Sequence, residues 1–429
     1  MPANPVILSR RSAGGEQPIS YFMRQAVENP DLITLAAGLV DPASLPATEV
    51  ARALAELLGR PQTAQPALQY GTTHGHAPLR EKLLARVTAL DGVTPRQLAL
   101  TPEEVVVTTG SQQLLYLVTE LLCDPGDVVI TEAPTYFVYL GALNALGVRA
   151  VGVPMDERGM DTDALADLLA RMERSGELER LRLIYVCDYF QNPSGLTLSL
   201  PRRRRLLELA RRYGRGRRLF VLEDAAYREL RYDGPDLPSV KSLDEDNSQV
   251  ILAMSFSKSL APGLKTGFGF LPRELVGPLV TLKGSHDFGS TNLAQHLIDN
   301  LLATGAYDRH IAELRSVYSR KRDALLSALE REFRPWPQVR WTRPGGGLYV
   351  WLRFPAGIDA GPEGALLRAA LEEGVLYVPG RFCHPGAGGG ACPGAQEVRL
   401  SFGPVPVEQI EEAVRRLARA AGPLLQRGG

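Results

Sequence analysis

Neither sign of charge is in excess in this sequence: 48 Lys and Arg stand against 48 Asp and Glu over 429 residues. Without a basic field, the chain is not expected to hold nucleic acid or an anionic membrane through bulk electrostatics, so specificity has to reside in local sites. Cysteine is scarce too, at positions 123, 187, 383 and 392. That scatter gives neither a disulfide framework nor short metal-type pairs. Only Cys383 and Cys392, flanking a Gly-rich loop over 385–394, offer a bridge or a shared metal, and reduced thiols in a cytoplasmic protein are the expected state. Long apolar runs are missing as well. The opening MPANPVILSRRSAGGEQPIS has no apolar core behind its arginines and does not read as a secretory signal. The most apolar stretch, 127–154, is broken by Glu132, Pro134, Asn144 and Arg149, so it reads as strand, turn and helix rather than a membrane span.

What is present is a regular alternation. Residues 46–59 and 77–90 read as amphipathic helices. From Val105 onward, short apolar runs (VVVTT, DVVITEA, VRAVGVP, LRLIYVCD, LFVLED, QVILAMSF) alternate with helical segments such as SQQLLYLVTELLC and PRRRRLLELARRYG. This pattern predicts an α/β fold with a mostly parallel sheet sandwiched by helices, its chemistry on loops beyond the carboxyl ends of the strands. After about residue 290 the pattern shifts to long helices, strand-like WTRPGGGLYVWLRF, GVLYVP and EVRLSF, and a final amphipathic helix. That portion predicts a smaller α+β unit.

Four constellations sit at strand ends. Lys258, in MSFSKS, lies between hydroxyls where a crowded lysine loses proton affinity and turns nucleophilic toward an aldehyde; the pattern SxSK also occurs in ordinary surface loops. Thr109-Gly110-Ser111-Gln112 joins a strand to a helix whose N-terminus suits a phosphate, or is a plain Ser-capped turn. Asp224, in LEDAAY, is a carboxylate at a buried strand end that needs a cation, or else caps a helix. Asn192, in FQNPSG, precedes a proline that biases it toward extended backbone, as in many turns. His74 and His76 read as lining an entrance or a seam rather than a metal, and Arg202 to Arg205 as a solvated helix face.

Taken in order, LQYGTTHGHAPLR, TTGSQQ, DPGDVVITEAPTY, FQNPSG, EDAAY, SFSKSLAPGLKTGF and RLSF resemble the fold type I pyridoxal-phosphate enzymes. The resemblance is to class I/II aminotransferases of the aminoadipate and kynurenine aminotransferase group, from about Ile33 to the C-terminus. It implies an aspartate aminotransferase-like fold and pyridoxal 5′-phosphate held by Lys258 as a Schiff base. Asp224 would pair with the ring nitrogen, Tyr227 and Asn192 would bond the ring's phenolic oxygen, and Tyr136 would stack on its face. Ser111, Gln112, Ser255, Ser257 and Lys265 would surround the phosphate. Lys265 stands where most relatives have arginine, keeping the charge without the planar fork. Tyr70 would reach the phosphate of a neighbouring subunit, which implies a homodimer with shared active sites. Arg399 would grip the substrate α-carboxylate, with the Gly38 backbone beside the substrate. The implied division is an N-terminal arm over 1–45, a large cofactor-binding domain over 46–300 and a small α+β domain over 301–429.

The resemblance implies amino transfer between an L-amino acid and a 2-oxo acid by a ping-pong mechanism, in which Lys258 also moves the Cα proton. Ser20 occupies a place where aminoadipate-type relatives tend to carry arginine, with Arg24 one turn later as the substitute; apolar, aromatic or neutral donors are therefore favoured. The same cofactor also serves decarboxylases, racemases, oxidases and eliminating enzymes. Some transcription regulators carry this fold as a ligand sensor behind a winged helix. With the family blocks beginning near Ile33 and no net charge, that reading is not expected here.

Overall fold

The computed structural model describes residues 28–29, 31–214, 216–386 and 393–427. Its strands are β1 (Ile33–Thr34), β2 (Val105–Thr108), β3 (Val128–Ala133), β4 (Arg149–Asp156), β5 (Gly159–Met160), β6 (Leu181–Val186), β7 (Phe220–Asp224), β8 (Val250–Ser255), β9 (Gly267–Phe270), β10 (Arg340–Trp341), β11 (Tyr349–Arg353), β12 (Val375–Leu376), β13 (Val378–Pro379) and β14 (Glu397–Ser401). Eight of them form one sheet in the order β2-β9-β8-β7-β6-β3-β4-β5.

Strands β4, β3, β6, β7 and β8 pair in parallel, as their continuous apolar runs predict. Successive side chains of a strand point to opposite faces, and the two faces feed separate cores. Val128, Ile130, Ile184, Val186 and Val221 pack on one side with the helices Thr162–Ser175 and Leu200–Tyr213. Val129, Leu183, Tyr185, Leu222 and Ile251 pack on the other. Both faces are thus covered.

Strand β9 departs from the parallel pattern: it runs antiparallel between β2 and β8. Its run GFGF is too short and glycine-rich to be read as a strand from sequence. The glycines have a packing reason, because a Cβ at Gly267 would lie 2.5 Å from the Ser111 nitrogen. Bare backbone there lets the start of the helix Gly110–Leu122 approach the sheet.

A second, antiparallel sheet has the order β10-β11-β14-β13, and β1 pairs in parallel with β12. Two long helices, Ala306–Glu332 and Val407–Arg427, bury Leu314, Leu325, Ile410 and Leu417 in the same core as β11 and β14. No described helix is long and apolar enough to cross a membrane.

The arginine run needs a correction. Arg204 and Arg205 are not buried, but Arg202 and Arg203 are. Arg203 ion-pairs with Asp188, donates to the Leu198 carbonyl at 2.9 Å and lies over the Tyr189 ring at 4.1 Å. Arg202 donates to Asp156 at 2.6 Å. The carboxylates Asp188 and Glu223 are buried beneath the sheet rim, and a buried charge requires a partner. Nothing in the run PRRRR announces that need, which arises from Asp188 just beyond β6 and Glu223 on β7.

Candidate active site

The parallel strands end on a common rim, and the loops beyond them carry polar side chains. Asp224 is the last residue of β7, Asn192 follows β6 and Lys258 follows β8. Tyr136 precedes the helix Phe137–Ala145, and Ser111 opens the first turn of Gly110–Leu122. Arg399 comes from β14 of the other sheet, where it sits opposite Trp351 and Val378. These residues line a cavity of about 350 Å³ together with Gly38, Gln112, Tyr227, Ser255, Ser257 and Lys265. Of the residues the resemblance assigns to cofactor or substrate, Tyr70 alone does not line it: it is 83 % exposed and meets Phe288 edge-on at 5.6 Å.

The part-buried Lys258 donates from Nζ to the Gly38 carbonyl at 2.5 Å. Burial, with Arg399 and Lys265 nearby, pushes its amine down to about 8, so a sizeable neutral fraction exists near pH 7–8. Asp224 is buried and accepts from the Tyr185 hydroxyl at 3.0 Å and the Ala226 amide at 3.2 Å. Among the described residues it has no cationic partner, and desolvation pushes its carboxyl up to about 6. Arg399 donates to Asn192 Oδ1 at 2.8 Å and to the Ala36 carbonyl at 2.6 Å, with its guanidinium 4.4 Å from the Tyr349 ring centre. Its buried Nε has no hydrogen-bond partner.

These atoms test whether pyridoxal phosphate fits. A lone buried carboxylate suits a protonated ring nitrogen. The helix Gly110–Leu122 starts with no side-chain cap at Thr109, so its first-turn N–H groups are left without helical acceptors at the cavity wall. Ser255 and Ser257, whose hydroxyls lie 3.0 Å apart, and Lys265 complete a donor set suited to a phosphate. Lys265 holds a left-handed φ of 48°, a conformation uncommon for a non-glycine residue. The incompletely satisfied Arg399 leaves a donor for a carboxylate. The residues fit the cofactor.

Two residues escaped the sequence reading, Tyr349 in the cavity wall and Tyr185 behind it. Tyr349 bonds the Tyr227 hydroxyl at 3.0 Å, and its own hydroxyl would lie 2.8 Å from a Cβ on Gly38. The glycines at 345–347 preceding it were a usable signal, since Gly347 takes a φ of 72° against Phe190. Tyr185 reaches Asp224 from within the apolar run LRLIYV, which carries no polar cue at all.

Other positions are accounted for differently. His76 stacks on His296 at 3.9 Å, His74 lies 3.7 Å from Glu103, and neither lines the cavity. No group of potential ligands that could hold a metal occurs among the described residues. Cys383 is a buried free thiol, whereas Cys392, the loop tip at 387–392, Ser20 and Arg24 lie outside the described residues.

A buried carboxylate and a strand-end lysine meet on the rim of this mostly parallel sheet, and the whole is a fold type I pyridoxal-phosphate enzyme of aspartate aminotransferase-like architecture. Residues 30–417 match the family Aminotransferase class I and II, and the chain belongs to it. It is a pyridoxal-phosphate-dependent transaminase that transfers amino groups between amino acids and oxo acids. The chain is 40 % identical to a 2-aminoadipate transaminase of Thermus thermophilus, over 93 % of this chain and 92 % of that protein. It is 36 % identical to aromatic-amino-acid aminotransferase 1 of Thermococcus litoralis, over 91 % and 88 % respectively. Among solved structures, a Pyrococcus horikoshii kynurenine aminotransferase in complex with PMP, KYN and KYA superimposes with a TM-score of 0.87 at 33 % identity, over 97 % of each chain.

Proposed function

We propose that Lys258 is the covalent anchor and proton carrier of this transaminase, with Asp224 holding the ring nitrogen and Arg399 the substrate carboxylate. The observation that carries this reading is the convergence of these three side chains, from two sheets, on one cavity. Pyridoxal phosphate, when bound, supplies an aldehyde for amines and a cationic ring that withdraws the electron pair left at the substrate Cα. Lys258 Nζ would take the proton from the substrate Cα, and its lowered proton affinity leaves it a competent base near neutrality. Tyr136 covers the ring face, while Asn192 and Tyr227 donate to the phenolic oxygen. Ser111, Gln112, Ser255, Ser257 and Lys265 hold the phosphate, with the Gly38 backbone flanking the substrate. The two half-reactions share the site, so ping-pong kinetics follow.

The spectrum tests this directly. Purified holoenzyme should be yellow, an amino donor should bleach the visible band, and a 2-oxo acid should restore it. Bleaching without recovery would mean a different bond is broken. A panel of donors in the same cuvette identifies the preferred substrate; apolar or aromatic side chains are favoured, because Leu39, Phe137 and Val138 line the cavity.

Arg399→Ala should raise KM for carboxylate-bearing donors by roughly 10²-fold, since it removes a buried charge-assisted pair. Steady-state kinetics with an amine lacking the carboxylate supply the control, which should change far less. Equal losses for both substrates would reassign Arg399 to a structural role.

The proposed assembly is a homodimer in which Tyr70 serves the partner's phosphate site. Tyr70, Phe288 and Leu68 are exposed at 83, 62 and 66 %, more than isolated chains normally leave for large apolar groups. Light scattering should give twice the 46.7 kDa chain mass, and a monomer would exclude the shared site. The proposed domains are the arm over 1–45, the cofactor-binding unit over 46–300 and the small unit over 301–429.

A further inference from the structure

Asp224 meets a tyrosine that the family resemblance does not assign. We propose that Tyr185 is a positioning residue, whose phenol holds Asp224 ionised and turned toward the cofactor site. The inference rests on the reading of Asp224 given above.

Tyr185 is fully buried in the middle of the sheet and donates its hydroxyl to Asp224 Oδ2 at 3.0 Å. No other side chain among the described residues donates to that carboxylate. The ring is itself held in place: it stacks on Tyr139 at 4.2 Å, and the Tyr139 hydroxyl lies 2.9 Å from Thr119 Oγ1. Thr119 donates in turn to the Leu115 carbonyl at 2.8 Å, so the chain of contacts ends on a rigid helix backbone. Register explains the reach. Tyr185 pairs with Leu222 and Asp224 with Ala253, so the two side chains leave neighbouring strands on the same face two positions apart.

The chemistry requires such a donor. A carboxylate stripped of water reverts to the neutral acid unless hydrogen bonds favour the ion. Among the described residues Asp224 has no cation beside it, and its own charge raises the pKa of the acidic groups around it. Glu132 and Tyr136 face it from β3 and the following turn, Tyr139 from the next helix, and Cys187 from beyond β6. Glu132 is held mainly neutral by burial, pushed up to about 8. The Tyr185 phenol and the Ala226 amide are the two groups that favour the ion. A neutral Asp224 could not keep a ring nitrogen protonated, so Tyr185 would act on the reaction without touching substrate.

The test is a double-mutant cycle with Tyr185→Phe and Asp224→Asn, read in two ways. In cofactor-free protein, the pH dependence of Tm reports Asp224 ionisation. In holoenzyme, rapid mixing with an amino donor reports the bleaching rate across pH. Tyr185→Phe should move the Asp224-linked inflection in the Tm profile upward by about one pH unit or more, the size expected for losing a hydrogen bond to a charged group. The acid limb of the bleaching rate should move the same way. In the Asp224→Asn background, Tyr185→Phe should leave the pH profile unchanged. A shift that persists without Asp224, or no shift with it, overturns the proposal. If Tyr185→Phe does not fold, Thr119→Val releases Tyr139 while leaving every cavity residue in place, and should give a smaller shift of the same sign; no shift then overturns it equally. Asp224→Asn holoenzyme that bleaches at the wild-type rate would instead sink the assignment of Asp224 itself, so the two failures are distinguishable.

Discussion

Lys258→Ala should lower transamination by about 10⁴-fold or more, because one substitution removes both the covalent anchor and the base that takes the Cα proton. The loss should fall on turnover, measured as the single-turnover bleaching rate with saturating donor. Cofactor should still bind, through the helix start at Gly110 and the hydroxyls of Ser255 and Ser257, but borohydride should no longer fix it to the chain. Stability should not suffer. The folded amine sits at about 8, below the ordinary lysine value of 10.5, so the unfolded chain binds the proton more tightly and the ionised lysine destabilises the fold below that range. Residual turnover within about tenfold of wild type would overturn the assignment.

Asp224→Asn is expected to have the second largest effect, a fall of roughly 10³-fold in the bleaching rate, as for removal of a preorganised electrostatic partner. The same variant makes a signed prediction about stability. The folded carboxyl titrates at about 6 against an ordinary value of 3.8. Between those values the folded state binds the proton and the unfolded chain does not, so wild-type stability falls as pH rises through this window and is constant above it. The full effect is on the order of 3 kcal/mol. Asparagine does not titrate. In cofactor-free protein, the Tm of the variant relative to wild type should therefore rise between about pH 4 and pH 7. A difference that stays flat with pH would show that Asp224 is already ionised throughout.

Both residues were legible in the sequence because each follows an apolar run that can only be a buried strand. MSFSKS after QVIL and LED after LFV put a charged group where a parallel sheet ends, and in such sheets ligands collect there. The same logic singled out Asn192 and Ser111, whereas Tyr136 entered only through the family resemblance. That logic missed β9, whose GFGF lacks the length and β-branched residues of its neighbours, yet whose glycines admit the helix start that lines the cavity. It also misjudged Arg202 and Arg203, because a charge run is solvated only if nothing buried needs it.

Lys258 illustrates the division. Composition, periodicity and the order of short motifs determined the sheet, the helices that cover it and the loops that carry reactive groups, since these depend on local pattern and on burial of apolar runs. Only the tertiary structure decided which groups share an environment. The low proton affinity of Lys258 comes from burial beside Arg399, a residue of another sheet, and from Lys265. Among the described residues Asp224 has no cation beside it, and β6 presents Tyr185 there instead. Desolvation and charge pairing act over a few ångströms of space, between residues up to 141 positions apart in the case of Lys258 and Arg399. No local reading of the chain can supply those distances.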